Sequence, residues 1–232
     1  MLPALVLIAQ LAACEPAAAA AMAEARARGE SFDLAGALEA VRGVTGCDEA
    51  EGTAEYLEGL VGARAAVKTG GATDSLRDVR SAANALSRRA EGGRRRWEIG
   101  SLVLRAAAAA SQYERDEMAV YLAEALRIEG LLLDAGQPGP PVVTAHEVAG
   151  DLWLQVDRYE EARQAYLRAA ERVGRTSLVR LGLARAAARL NDTASACREY
   201  TWLLEWWDER PGLPPEIEEA RTLLRSGLCP AP

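Results

Sequence analysis

Histidine occurs once in this chain of 232 residues, at position 146, and lysine once, at position 68. One histidine leaves a Ser-His-Asp or Cys-His system a single position to use, and no glycine-flanked nucleophile accompanies His146, so no catalytic residue is expected. The four cysteines stand at positions 14, 47, 197 and 229, with no pair at metal-ligand spacing. Neither a tetrahedral zinc set nor any other metal or cofactor is therefore expected. A phosphate-cradling loop is also missing, because Gly92-Gly93-Arg94 lacks the preceding strand and the Lys-Ser/Thr pair. A basic excess is absent too: 27 Lys and Arg stand against 34 Asp and Glu, for a formal charge of −7. That balance argues against nucleic-acid binding, and the preference for arginine over lysine reads as a high-GC coding bias. Aromatic residues are few, with one Phe, six Tyr and five Trp, and β-branched residues are sparse. Alanine fills about one position in five, so the composition points to helices. No apolar run approaches the roughly 20 residues of a membrane span.

What is present is a repeat. Ala149-Gly150, Trp153, Ala162, Tyr166 and Ala169, shifted by 34 positions, become Leu183-Ala184, Ala187, Ala196, Tyr200 and Leu203. Val156 is answered by Leu190 and then by Leu224 at the same spacing, and Leu152 by Ala186 and Ala220. In each second helix the alanine, tyrosine and third residue lie at i, i+4 and i+7, which puts them on one face. Small residues let the paired helix come close, and the tyrosine rings fill the space between layers. Thr144 with Glu147 reads as a capping box, and Asp157 to Tyr159 as a short turn that Asn191-Asp192 repeats. Residues 214–226 read as a solitary last helix, with Glu216, Glu218, Glu219 and Arg221 on its outer face.

This pattern resembles the tetratricopeptide repeat family, over residues 144–204 and more loosely to 227. The resemblance implies an all-α, right-handed superhelical solenoid of antiparallel helical hairpins, closed by a C-terminal capping helix. It also implies a concave face made by the first helices, at positions matching Glu147, Asp151, Leu154 and Gln155, then Leu181, Arg185, Ala188 and Arg189. A protein or peptide partner is expected there, with Glu147, Asp151, Gln155, Arg185 and Arg189 as its contacts. The face lacks the Lys and Asn arrangement with which some family members clamp a C-terminal carboxylate.

Residues 1–13 form an apolar run ending in Leu11-Ala12-Ala13-Cys14, which resembles a bacterial lipoprotein signal peptide and its lipobox, without the usual basic n-region. The alternative for this run is a buried strand or helix start with an incidental cysteine. On the first reading Cys14 is lipidated and residues 14–30 are a tether. The protein then sits in the bacterial cell envelope, on the periplasmic face of the outer membrane if there are two membranes. On the second it is cytoplasmic. Residues 31–134 read as helical hairpins, either degenerate repeats or a bundle, because the 34-residue register would put Ala123 in the place of Asp157, inside a continuous helix. The stretch 135–143, Ala-Gly-Gln-Pro-Gly-Pro-Pro-Val-Val, reads as a hinge.

If the protein is exported, Cys197 and Cys229 fall where two antiparallel helices bring their ends together, and a disulfide is expected between them, with Cys47 unpaired. Arg94, Arg95 and Arg96 precede a helix start, where their charge opposes the helix dipole, and are candidates for an anionic contact. Trp202, Trp206 and Trp207 read as core or as an apolar anchor beside the concave face. The reading is a non-enzymatic protein-protein interaction scaffold. The alternative is a helical small-molecule- or glycan-binding accessory protein with a pocket near Trp97, Tyr121 and Trp153. An enzyme would need Glu114, Asp116 and Glu117 to converge in a closed cleft.

Overall fold

The computed structural model describes residues 16–68, 73–208, 210, 212–226 and 229, and among them every regular element is an α-helix. They are α1 (Pro16–Glu30), α2 (Leu34–Val41), α3 (Asp48–Lys68), α4 (Thr73–Ala90), α5 (Arg95–Ser111), α6 (Arg115–Asp134), α7 (Ala145–Gln155), α8 (Tyr159–Arg172), α9 (Ser177–Arg189), α10 (Thr193–Trp207) and α11 (Pro215–Arg225). Each helix packs on the next in sequence. The odd-numbered helices α1, α3, α5, α7 and α9 also touch in succession, so they share one side of the molecule.

Local chemistry sets the boundaries. Asp33, Thr176 and Asp192 each accept an N–H from the first turn of the helix that follows. Thr144 and Glu147 form a full capping box at α7. Chain reversals recur in one form. The N–H groups of Asp33, Glu114, Gln137, Arg158 and Asp192 donate to the carbonyls of Arg28, Ala109, Leu132, Trp153 and Ala187. This is the six-residue closure of a Schellman turn, with the residue before each donor at positive φ: Phe32, Tyr113, Gly136, Asp157 and Asn191. Asp157 and Asn191 are the turn pair legible in the repeat. Tyr113 serves the same turn at the end of α5, although α6 runs 20 residues and breaks the spacing.

The small residues of the repeat act as the spacing requires. Tyr166 is 1% exposed, and a Cβ on Gly150 or on Gly182 would overlap its ring. Tyr166 is thus pressed between α7 and α9, its hydroxyl donating to Asp151 at 2.5 Å.

Two stretches differ from their expected roles. Residues 16–30 are not an extended tether but helix α1, which buries Ala18, Met22, Ala25 and Gly29. Those positions, spaced four, three and four apart, form one helical face against α2 and α3. Only the second part of the stretch 135–143 is packed: residues 135–138 are exposed, whereas 139–141 are buried, Val142 lies against Gly29, and Gly139 fits against Glu129 where no side chain would. Glu129, fully buried, accepts the N–H groups of Ala145 and His146 at 2.9 and 3.0 Å, and His146 Nδ1 lies 2.5 Å from it. A carboxylate on α6 therefore caps α7 across that stretch.

The α1–α2 turn meets the C-terminal helices. Phe32, in the turn between α1 and α2, sits 6.4 Å from the rings of both Trp206 and Trp207 and packs with Leu181 and Tyr200. Ser177 Oγ donates to the Glu30 carbonyl at 2.5 Å. This contact joins α1 to the start of α9, and α9 carries much of the groove described next.

Candidate functional site

Helices α3, α5, α7, α9 and α11 and the α1–α2 turn enclose a half-open groove of about 1320 Å³. Its inner end is apolar, with Phe32 and Leu34 facing Val148, Leu178 and Leu181 near the starts of α7 and α9. Its rim, at the ends of α3, α5, α7 and α9, carries Val67, Tyr113, Tyr159 and Arg189. Tyr113 and Val67 are 60% and 45% exposed, so the rim presents apolar and aromatic surface to solvent.

A charged band crosses the groove wall at one repeat position. Asp151 on α7, Arg185 on α9 and Glu219 on α11 are spaced 34 residues apart, so the repeat stacks acid, base and acid on adjacent helices. Arg185 grips Glu219 with a forked pair, Nη2 to Oε2 at 2.6 Å and Nε at 3.1 Å. The Tyr200 hydroxyl donates to the other Glu219 oxygen at 2.6 Å. Partial burial alone would raise the Glu219 carboxyl, but Arg185 and Tyr200 outweigh it and hold the group below the ordinary carboxylate range. The same carboxylate, with burial, pushes the Tyr200 hydroxyl up. Arg64 on α3 and Arg189 on α9 are both exposed and form no ion pair among the described residues, although Arg189 stands 5.6 Å over the Tyr159 ring.

Of the five contact residues expected on the concave face, Asp151, Gln155, Arg185 and Arg189 line this groove. Glu147 does not. It is 5% exposed, accepts from Thr144 and from the Thr176 hydroxyl at 2.7 Å, and so links the starts of α7 and α9. Its burial raises its carboxyl above the ordinary value despite those bonds. Arg64, Tyr113 and Phe32 were missed. They lie where the repeat register does not reach, although Phe32 and Tyr113 occupy the same positive-φ turn position as Asp157 and Asn191.

The arginine cluster is spent inside the molecule. Arg94 pairs with Asp48 at 2.8 Å and Arg96 with Glu49 at 3.4 Å, while Arg95 is exposed. Arg89 binds Asp48, Glu51 and Glu55 at 2.8–3.0 Å, so these bases anchor the acidic start of α3. That acidic partner supplies what the helix dipole of α5 does not. Trp202 and Trp206 stack at 5.8 Å, with Arg180 4.0 Å over the first and Arg210 3.7 Å over the second. The guanidinium groups cover the outer ring faces, so the stack offers no open aromatic platform.

Trp97, Tyr121 and Trp153 do not converge. Trp97 is 1% exposed and donates to Asp48 at 3.2 Å, whereas Tyr121 borders a separate surface pocket of about 230 Å³. That small pocket holds Glu114 and Glu117 beside Arg80 and Arg105. A hydrogen bond that Glu114 donates to the Glu117 carboxylate when protonated raises the exposed Glu114 carboxyl, in an open setting. Among the described residues, no His, Cys, Asp or Glu cluster is placed to hold a metal, and no helix is long and apolar enough to cross a membrane. Cys197 and Cys229 are joined by a disulfide with Cα atoms 5.7 Å apart. Cys47, expected to stand unpaired, is itself disulfide-bonded. The lipobox and Cys14 lie outside the described residues.

No protein-family model, no curated protein and no solved structure matches the chain.

Proposed function

We propose that this protein is a non-enzymatic scaffold of the tetratricopeptide type, a superhelical solenoid that holds a segment of a partner protein in its inner groove. The observation that carries this reading is the groove itself. Four residues nominated from the repeat, Asp151, Gln155, Arg185 and Arg189, fall on one concave wall, on helices that succeed one another. Two exposed arginines without ion pairs, apolar side chains at the inner end and tyrosines at the rim suit an extended peptide with mixed polar and apolar side chains. The second reading, a small-molecule or glycan binder, finds less support, because its three expected aromatic residues lie apart.

The protein is further proposed to be tethered through lipidated Cys14 to a bacterial envelope membrane, with α1 starting two residues later. This form requires Cys47 to be released from its disulfide, because with Cys197 bonded to Cys229 the only other cysteine of the chain is Cys14. Intact mass of the full chain expressed in a bacterium tests the tether. Cleavage before Cys14 with added diacylglycerol and acyl mass supports it. A retained leader, or a Cys14 carrying hydrogen or a second sulfur, overturns it.

The groove reading is tested by placing a photo-crosslinking amino acid at Gln155 or, as a control on the outer surface, at Val120, which is 68% exposed. Adducts of a defined mass from Gln155 alone support partner binding in the groove. Equal adducts from both positions, or none from Gln155, overturn it.

A further inference from the structure

We propose that the disulfide between Cys197 and Cys229 is a reducible latch that keeps α11 in place as the last wall of the groove. In the oxidised protein Arg185 faces the groove with its charge matched by Glu219. In the reduced protein it loses that partner and keeps only the more distant Asp151 carboxylate on α7. This rests on reading the groove as the binding surface and adds a control to it.

Helix α11 has 11 residues, too few to hold a helix by itself in water. It packs on α10, and only Ile217 and Ala220 of its side chains are buried. Its polar attachment to the body converges on one group, the Glu219 carboxylate held by Arg185 and Tyr200. Just past its far end, Cys229 joins Cys197 on α10 and closes a loop of 32 residues. Opening such a loop raises the population of the undocked segment by roughly a hundredfold. Glu216, Glu219 and Leu223 all line the groove, so undocking removes two acidic groups and one apolar side chain from it. The wall that stays behind carries Arg185 and Arg189, and an acidic segment becomes the better occupant.

The bond is open to exchange from one side. Cys229 is half-buried, whereas Cys197 is 8% exposed within α10. A thiolate of a dithiol reductant attacks Cys229 Sγ, and Cys197 leaves as a thiolate and takes up a proton. The second thiol of the reductant, as its thiolate, then displaces Cys229, which likewise leaves as a thiolate and takes up a proton. Two electrons pass to the protein, and the reductant ends as a disulfide.

The test is amide hydrogen exchange of the full chain, resolved to α11, combined with mapping of arginines modified by phenylglyoxal. Because dithiothreitol also reaches the disulfide of Cys47, Cys229→Ser isolates the effect. The expected result is α11 exchange roughly a hundredfold faster in Cys229→Ser, with α7 unchanged and Arg185 newly modified. In Glu219→Gln, with the disulfide intact, Arg185 is modified while α11 stays protected. Should Cys229→Ser not fold, the wild-type chain treated with dithiothreitol gives the same α11 readout. Equal α11 exchange in oxidised and reduced protein overturns the latch, and an unmodified Arg185 in both variants overturns the masking by Glu219. None of these readouts needs a partner, so a silent crosslink at Gln155 removes the groove reading without touching them.

Discussion

At the scale of single residues, the fold turns on close approaches that admit no extra atom. Gly150 and Gly182 both abut the Tyr166 ring, so Gly150→Ala and Gly182→Ala are each expected to destabilise the protein by about 1–3 kcal/mol in chemical denaturation, the cost of overpacking. Gly150 was legible because it pairs with Ala149 in a pattern that recurs. Gly182 was not, because the register places its partner contact on the neighbouring unit. Glu129 gave no sequence signal either, being one of five acids on α6, with Asp116, Glu117, Glu124 and Asp134. Its burial beside two backbone N–H donors makes Glu129→Ala cost about 2–4 kcal/mol, since the start of α7 is left with unsatisfied donors. His146→Ala, which leaves those two bonds intact, is expected to cost less in the same measurement.

At the scale of elements, periodicity located most helices, and composition misled where it was extreme. The alanine-rich run that opens α1 resembles a tether, yet Ala18, Met22, Ala25 and Gly29 fall on one face and bury it. Alanine hides this because it carries little hydrophobic contrast, and only a facing helix shows which alanines are inside. The last helix, by contrast, was legible from the repeat, and its docking depends on pH. The Glu219 carboxyl sits below its ordinary value of 4.5, so its contribution is fully present above about pH 4.5. It is lost as pH falls through the lower folded-state value. Amide exchange of α11 is expected to accelerate across that acid window in Cys229→Ser, where the disulfide no longer holds the helix, and the step is expected to be absent when Glu219→Gln is added.

At the scale of the whole molecule, the two halves are bound into one cooperative unit. Glu129 on α6 caps α7, Gly29 packs on Val142, and Phe32 joins the aromatic cluster of α10. Helical circular dichroism and tryptophan fluorescence are therefore expected to report a single coincident unfolding transition. Phe32→Ala removes the large side chain that ties the first turn to the last helices. It is expected to cost about 3–5 kcal/mol, and to separate the two signals if the C-terminal cluster then melts first.

The sequence by itself determined the helical class, the Thr144–Glu147 capping box, the turns at Asp157 and Asn191, and the wall positions Asp151, Gln155, Arg185 and Arg189. Each of these depends on neighbours within one helix, or on a spacing of 34 residues that a linear chain displays. The tertiary structure alone decided that Glu147 is a buried linker between helix starts and that Arg94 and Arg96 pair with acids of α3 while Arg95 is exposed. It also decided that the groove is closed at one end by Phe32. Those outcomes depend on which distant side chains share a place in space. Charge pairing and ring packing over separations such as Glu30 to Ser177 leave no periodic trace in the order of residues.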